Sequence, residues 1–315
     1  MEDFFTYSVI LGIFVATVKI ATPLLIAATG ELVAESAGIL NLSLEGTMTI
    51  GAFTGFLVAN ETGSLWLGLV GAAVGGGALG LLMAVMTATV KVNQVVAGLA
   101  LNILGLGGAF FWYRSVYDES GAVALPTVDR FDTATIPLLA DIPAVGEILF
   151  DQHWLTYFGV VMVPATFIFL YRTKYGLELR SIGHNPEACD MRGVGIISRQ
   201  YTAVIYGGVM AGLGGAFLSL SEAGQFFPDI IAGRGWIALA IVIFGNWRAS
   251  WILVGSLLFG FLEATQLSLQ ASDVNLPYQL LLALPFVLTI AALVLNRSRS
   301  RVPLALTIPY HRGER

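Results

Sequence analysis

The sequence predicts an all-α fold: a polytopic helical membrane protein of about nine transmembrane spans, built as one domain over residues 1–296. Three observations carry that prediction. Several apolar runs exceed the roughly 20 residues needed to cross a hydrocarbon core about 30 Å thick. The chain is 56% hydrophobic and only 12% charged, with mean hydropathy +0.79, whereas soluble chains alternate polar and apolar faces. Glycine supplies 36 of 315 residues, which suits helices packed closely in a bilayer. The single cysteine, Cys189, excludes an internal disulfide. The start, Met1-Glu2-Asp3, is acidic where a secretory signal is basic, so the first apolar run is expected to be retained.

The spans are read at 4–28, 46–60, 64–90, 93–113, 154–171, 200–220, 235–247, 250–270 and 276–296. Orientation follows from Lys and Arg in the loops. Residues 172–199 hold Arg172, Lys174, Arg180, Arg192 and Arg199, and the arginine-rich tail 297–315 holds Arg297, Arg299, Arg301, Arg312 and Arg315. Loop 114–153 has Arg114 and Arg130 against Asp118, Glu119, Asp129, Asp132, Asp141, Glu147 and Asp151. The 172–199 loop and the tail are therefore expected in the cytoplasm and 114–153 outside. Nine spans then put the N-terminus outside and the C-terminus inside. Phe110, Phe111, Trp112, Tyr113 and Tyr117 form an aromatic belt where the fourth span should exit.

Two stretches resemble each other. Residues 33–53 and 220–241 each carry a Glu, a nearby Gly (Gly38, Gly224), a loop-like stretch, and a Gly before an apolar run (Gly46, Gly235). They follow spans that end on opposite sides, which predicts an inverted repeat with a pathway at its interface. Ionisable residues within spans face the interior or a cavity. The candidates are Lys19, Glu31, Glu35, Glu45, Glu222 and Glu263. Glu31 and Glu35 have the i,i+4 spacing that shares a helix face, as do Asn41 and Glu45. These acids read either as structural pairs and caps or as a proton relay, and Lys19 either snorkels or pairs. Asn93, Gln94 and Asn102 offer donors and acceptors either to a neutral polar solute or to neighbouring helices. Gly71/Gly75 and Gly76/Gly80 make small-xxx-small steps for close packing. No metal-ligand spacing and no nucleotide-binding motif occurs. His153, His184 and His311 all fall in loops or tail, so no catalytic pair lies within a span.

The 172–199 segment has its own helix punctuation. Asn185 is a good N-cap and Pro186 a good first helical residue. Glu187 suits the positive first turn, Arg192 the negative last turn, and Gly193 the C′ position. This predicts a short helix over 186–192, marginal alone in water, so it needs a surface. That surface is either a partner or the protein and headgroups themselves.

The residues Tyr175-Gly176-Leu177 through Arg180, Gly183-His184-Asn185-Pro186-Glu187-Ala188 and Gly193-Val194 resemble the cytoplasmic coupling segment of ATP-binding-cassette importer permeases. The resemblance is to the family serving simple sugars, nucleosides and branched-chain amino acids. It extends to residues 38–46 (GILNLSLEG), 98–102 (GLALN) and 232–240 (AGRGWIALA), and covers about residues 20–290. Ile136-Pro137-Leu138-Leu139, Asp141-Ile142-Pro143 and 146–150 are most similar to the nucleoside and simple-sugar branch. Cys189 and Asp190 depart from the pattern, where small residues are expected, and the tail 297–315 is unmatched.

The resemblance implies a type II-like permease with alternating access, in which an extracellular binding lipoprotein delivers a nucleoside or simple sugar. A separate ATPase subunit, holding ATP and Mg, drives the cycle; this chain has no cofactor or metal and is not itself an enzyme. A second, homologous permease completes a heterodimer in the cell membrane, with lipid as surroundings and no nucleic acid. It implies coupling through Arg180, Gly183, Asn185, Glu187, Ala188 and Gly193. Asn41, Glu45, Asn93, Asn102 and Glu222 are the candidate pathway residues. The rival expectation is a secondary transporter of a small polar solute, driven by an ion gradient through Glu35, Glu45 or Glu222.

Overall fold

A computed structural model describes residues 7–117, 126–137, 139–140, 142–271, 287 and 301–310. The helices are α1 (Tyr7–Ser36), α2 (Leu44–Thr62), α3 (Leu65–Ala84), α4 (Gln94–Tyr117), α5 (Trp154–Arg172), α6 (Lys174–His184), α7 (Pro186–Met191), α8 (Ile196–Ala216), α9 (Arg234–Phe244) and α10 (Ala249–Ala271). π-helical turns extend α3 through Val85–Thr89 and α8 through Phe217–Ala223. The strands β1 (Thr133–Thr135) and β2 (Asp151–His153) pair antiparallel, with Thr133 opposite His153. The fold is thus all-α apart from this small hairpin. The expected ninth span, 276–296, lies outside the described residues apart from Val287.

Each of the other eight expected spans coincides with a helix, but they are not equivalent. Six of the described helices are long and apolar enough to cross a membrane: α1, α3, α4, α5, α8 and α10, the third and eighth with their π turns. α9 has 11 residues and reaches only about 16 Å at 1.5 Å per residue. The expected span 235–247 is already short, and α9 is shorter still. α1 runs to Ser36, well past the expected end at 28, continuing through Gly30 until Gly38 turns left-handed (φ +85°). It thereby takes Glu31 and Glu35 onto one buried helical face. Asn41 lies in the loop that follows, so it shares no helix with Glu45.

The centre of the bundle is α1, α2, α3 and α8. The glycine steps on α3 serve two neighbours. Gly71 and Gly75 accommodate Val58 and Thr54 of α2, while Gly76 and Gly80 meet the backbone of Gly208, Gly212 and Val204 on α8. A Cβ at Gly76 would overlap the Gly208 carbonyl, so the two backbones touch, the contact that small residues allow inside a bilayer.

The direction of the short helices follows from their contacts. α2 runs parallel to α8, with Met48 beside Gly215 and the Ser219 hydroxyl donating to the Ala52 carbonyl at 2.9 Å. α8 is antiparallel to α1, with Gly207 beside Gly30 and Gly214 beside Pro23. α9 starts at Arg234, paired with Glu263 of α10 near the Thr17 level of α1, and ends near Glu35, which accepts from Trp247. α2 and α9 therefore set out from neighbouring points in opposite directions. The segments 33–53 and 220–241 are inverted relative to each other at this junction, each turning through a left-handed glycine (Gly38, +85°; Gly224, +65°).

α8 joins two specialised ends. Ile196, at its start, packs beneath α7 with Ile182 and Cys189. Its π-helical end meets the segment leading into β1, where Val128 N–H donates to the Gly224 carbonyl at 2.8 Å and Phe131 N–H to the Leu220 carbonyl at 3.1 Å. In the aromatic group on α4, Phe111 and Trp112 face outward, while Tyr113 is buried against Phe53 and Phe226. That end of α4 is thus part belt and part core.

Candidate functional site

The junction between α2 and α9 is built around one carboxylate. Glu45, 6% exposed, sits in the first turn of α2 and reaches across to the first turn of α9. Its Oε1 accepts from Gly233 N–H and its Oε2 from Gly235 N–H, both at 2.7 Å. Leading into α9, Ala232 (φ +51°) and Gly233 (φ +84°) are both left-handed, a conformation that turns the chain so its amides point at Glu45. A Cβ on Gly235 would overlap the Glu45 backbone nitrogen; only glycine permits this approach. The acid occupies the positive end of the α9 dipole, where charge-assisted bonds to amides are strongest. Arg234 in the same turn opposes that dipole and is held by Glu263 at 2.6 Å.

The first turn of α2 is capped in the same manner. Asn102 of α4 is buried, and its Oδ1 accepts from Gly46 N–H at 2.7 Å. A Cβ on Gly46 would strike the Asn102 backbone. Gly46 and Gly235, matched in the repeat, are therefore both first-turn residues, third in α2 and second in α9, whose N–H is taken by a buried side chain.

Loop 37–43 between α1 and α2 is tied from several sides. Glu31 Oε1 accepts from Asn41 N–H at 2.9 Å. Asn41 Oδ1 in turn accepts from Ser43 N–H and its hydroxyl. Gln94, opening α4, accepts from Leu40 N–H at 2.8 Å and donates to the Gly38 carbonyl at 3.2 Å. Gln200 of α8 donates to Ala37 at 3.3 Å. Glu35 accepts from the Trp247 indole in the α9–α10 loop. Buried acids and amides here satisfy loop backbone that would otherwise be left unpaired in an apolar interior.

Of the five candidate pathway residues, Asn41, Glu45 and Asn102 come together at this junction. Asn93 is exposed, with Oδ1 capping α4 through Val95 and Val96 N–H. Glu222 lies at the other end of α8, its carboxylate 3.8 Å from His153 Nε2. His153 is buried, with Nδ1 3.0 Å from the Phe131 carbonyl. Burial holds its pKa below the ordinary histidine value, a shift that the neighbouring Glu222 opposes.

The second cluster is the polar segment between α5 and α8. α7 forms as its punctuation predicts: Asn185 Oδ1 accepts from Ala188 N–H at 3.0 Å, Pro186 is the first helical residue, and Gly193 is left-handed at φ +77°. α6 was not anticipated. Its signal was the buried Gly176, Leu179, Ile182 and Gly183 at three- and four-residue spacing, after Thr173, whose hydroxyl accepts from Gly176 N–H at 3.0 Å.

Glu187, Met191, Arg192 and Gly193 are exposed, and a groove of about 500 Å³ runs past Arg180, Asn185 and Ala188. Arg180 also has an internal role: Nε donates to the Leu170 carbonyl at 2.9 Å and the guanidinium covers the Tyr171 ring at 4.4 Å. Gly183 is a crossing point, where a Cβ would overlap the Ser36 carbonyl that ends α1. The departures Cys189 and Asp190 have structural partners. Cys189 is buried with Ile182 and Ile196, and burial pushes its thiol pKa up. Asp190 accepts from the Tyr310 hydroxyl at 3.0 Å. Gln200, Trp247 and Tyr310 were not singled out from the sequence, since nothing local to any of the three marks it.

A family model described as branched-chain amino acid transport system / permease component matches residues 13–293. The chain is 39% identical to a putative glucose ABC transporter permease protein of Haloferax volcanii, over 96% of this chain and 98% of the relative. It is 34% identical to the guanosine ABC transporter permease protein of Bacillus subtilis, over 97% and 98%. It is 33% identical to a nucleoside ABC transporter permease protein of Lactococcus lactis, over 95% and 97%. No solved structure matches the chain.

Proposed function

The chain belongs to the branched-chain amino acid transport system / permease component family and is a multi-pass permease subunit of an ATP-binding-cassette transporter, and on that premise we propose that it imports a nucleoside or a simple sugar. The relatives named for glucose, guanosine and nucleosides, each aligned over nearly its whole length, support this substrate class. Nothing in those relatives favours an ion-gradient mechanism. In this reading an extracellular binding lipoprotein delivers the solute, and a second, homologous permease completes a heterodimeric passage. A partner ATPase, holding ATP and Mg, docks on α6 and α7 from the cytoplasm. The N-terminus is then outside and the C-terminus inside.

The observation that carries the docking assignment is α7 itself, a complete, capped six-residue helix with an exposed outer side beside a groove. So short a helix has no independent stability and serves as a rigid shape held by its surroundings. Arg180 and Gly183 fix α6 to the bundle, while Asn185, Glu187, Ala188 and Gly193 shape the surface offered.

The route inward is a series of contacts. α7 follows directly from α6; α6 meets α1 at Gly183–Ser36; α1 and loop 37–43 lead into α2; and Glu45 joins α2 to α9. Displacing α7 then shifts two helices that head in opposite directions, as alternation between inward and outward access requires. The passage opens along this junction, lined by Asn41, Glu45 and Asn102, with Glu222 toward the outer end and Asn93 at the α4 start.

Replacing Ala188 with Glu puts a bulky charge on the docking surface. The assembled transporter carrying Ala188→Glu should lose substrate-stimulated ATP hydrolysis while the permease still inserts and purifies. Stimulation equal to wild type would refute docking at α7.

A further inference from the structure

The tail lies beyond residues 13–293, the stretch that the family model matches, and residues 301–310 lie across the docking segment. Arg301 N–H donates to Asn246 Oδ1 at 2.8 Å, in the α9–α10 loop beside Trp247. Buried Pro303 packs on Gly183, and Ala305 N–H donates to the Gly183 carbonyl at 2.8 Å. A Cβ built on Gly38, in loop 37–43, would also stand 3.5 Å from the Ala305 carbonyl. The tail then crosses to α7, where Tyr310 donates to Asp190 and packs with Cys189, Ile182 and Ile196. Between the tail and the N-terminus of α7 lies a groove of about 360 Å³, lined by Asn185, Glu187, Leu304 and Ile308 among others.

We infer that residues 301–310 form a strap that sets the position of α7, with Tyr310 as the positioning residue that acts through Asp190. Two features support this. The six residues of α7 hold little structure alone, and its inner side rests on Cys189 alone among its fully buried side chains, so external anchors fix its tilt. The strap's contacts also fall on the places that α7 must move for transport: the α1–α2 loop, α6 and the α9–α10 loop. Of the two residues that depart from the family pattern, Asp190 bonds Tyr310 directly and Cys189 belongs to the buried cluster that Tyr310 packs against. A strap of this kind accounts for both departures at once. The inference rests on the docking role of α7.

The test uses the complete transporter with its ATPase and binding protein. Tyr310→Phe keeps the ring against the cluster of Ile182, Cys189 and Ile196 and removes the hydroxyl. It should lower the ratio of substrate-stimulated to basal hydrolysis about five-fold, the worth of one ordinary hydrogen bond, with the ATPase still co-purifying. Asp190→Asn retains an acceptor and should stay within about two-fold of wild type, while Asp190→Ala should match Tyr310→Phe and add nothing to it.

Cys189 is the chain's single cysteine, so maleimide labelling reports directly on α7. It should be slow in wild type, where Cys189 is buried, and at least about ten-fold faster in Tyr310→Ala, once α7 loses its anchor. An unchanged stimulation ratio in Tyr310→Phe, or unchanged Cys189 labelling in Tyr310→Ala, overturns the strap. If Ala188→Glu abolishes stimulation in the same preparation, only the strap has failed. If Ala188→Glu leaves it intact, the docking assignment has failed.

Discussion

Replacing Glu45 with Gln tests the junction on which the transport route turns. The carboxylate gives one oxygen to Gly233 N–H and the other to Gly235 N–H, each at 2.7 Å. Gln keeps one acceptor and turns an NH₂ toward the second amide, so two donors face each other. Losing a hydrogen bond to a charged acceptor costs about 1.5–3 kcal/mol, and orphaning a buried amide costs about 1–3 kcal/mol. These overlap, so a total of about 3–4 kcal/mol is expected, against a typical folding stability of about 5–15 kcal/mol.

The cost falls on one contact between α2 and the short α9, so α9 should detach from α2 before the bundle unfolds. Two assays read this. The melting temperature of purified permease should fall by roughly 5 °C or more, and initial uptake in proteoliposomes should drop at least ten-fold. Glu45→Asp, shorter by one methylene, keeps the charge but cannot reach both amides and should fall between. Wild-type melting and uptake in Glu45→Gln would show that the junction needs no charged acceptor and would refute the reasoning.

Gly183→Ala places a Cβ on the Ser36 carbonyl, and such overpacking costs about 1–3 kcal/mol. It should reduce ATP-driven uptake more than basal hydrolysis, measured in parallel on one preparation. The hairpin should be acid-sensitive through His153. Its folded pKa lies below the ordinary value, so the unfolded form binds the extra proton, and local stability is lost as pH falls through the ordinary histidine range near about 6.5. Proteolysis of loop 126–153 should accelerate from pH 7.5 to pH 5.5 in wild type but not in His153→Gln.

Much of the architecture was legible because membrane spans announce themselves by length and hydropathy. α3, α4, α5 and α10 lie close to where the apolar runs put them. α7 was readable to within a residue because Asn185, Pro186 and Gly193 each satisfy a specific backbone need. α6 was hidden because its buried positions include two glycines, which read as loop.

The short helices show a different limit. Hydropathy finds the apolar run of α9 and its shortness, while its 11-residue length is set where Gly233 and Gly245 bracket it. Glu45 was recognisable as an intramembrane acid, but its partners lie 188 and 190 positions away, beyond any local pattern. The same is true of Trp247 on Glu35 and Tyr310 on Asp190. Asn93 shows the converse: its type and position suggested a pathway, while locally it caps α4.

The central claim is that a partner ATPase drives this permease. It is tested most directly by loading radiolabelled nucleoside or glucose, with the cognate binding protein, onto proteoliposomes holding the permease pair with or without the ATPase. The account predicts uptake that requires the ATPase and internal ATP and survives collapse of proton and sodium gradients. Uptake that persists without the ATPase and vanishes with the gradients would contradict it.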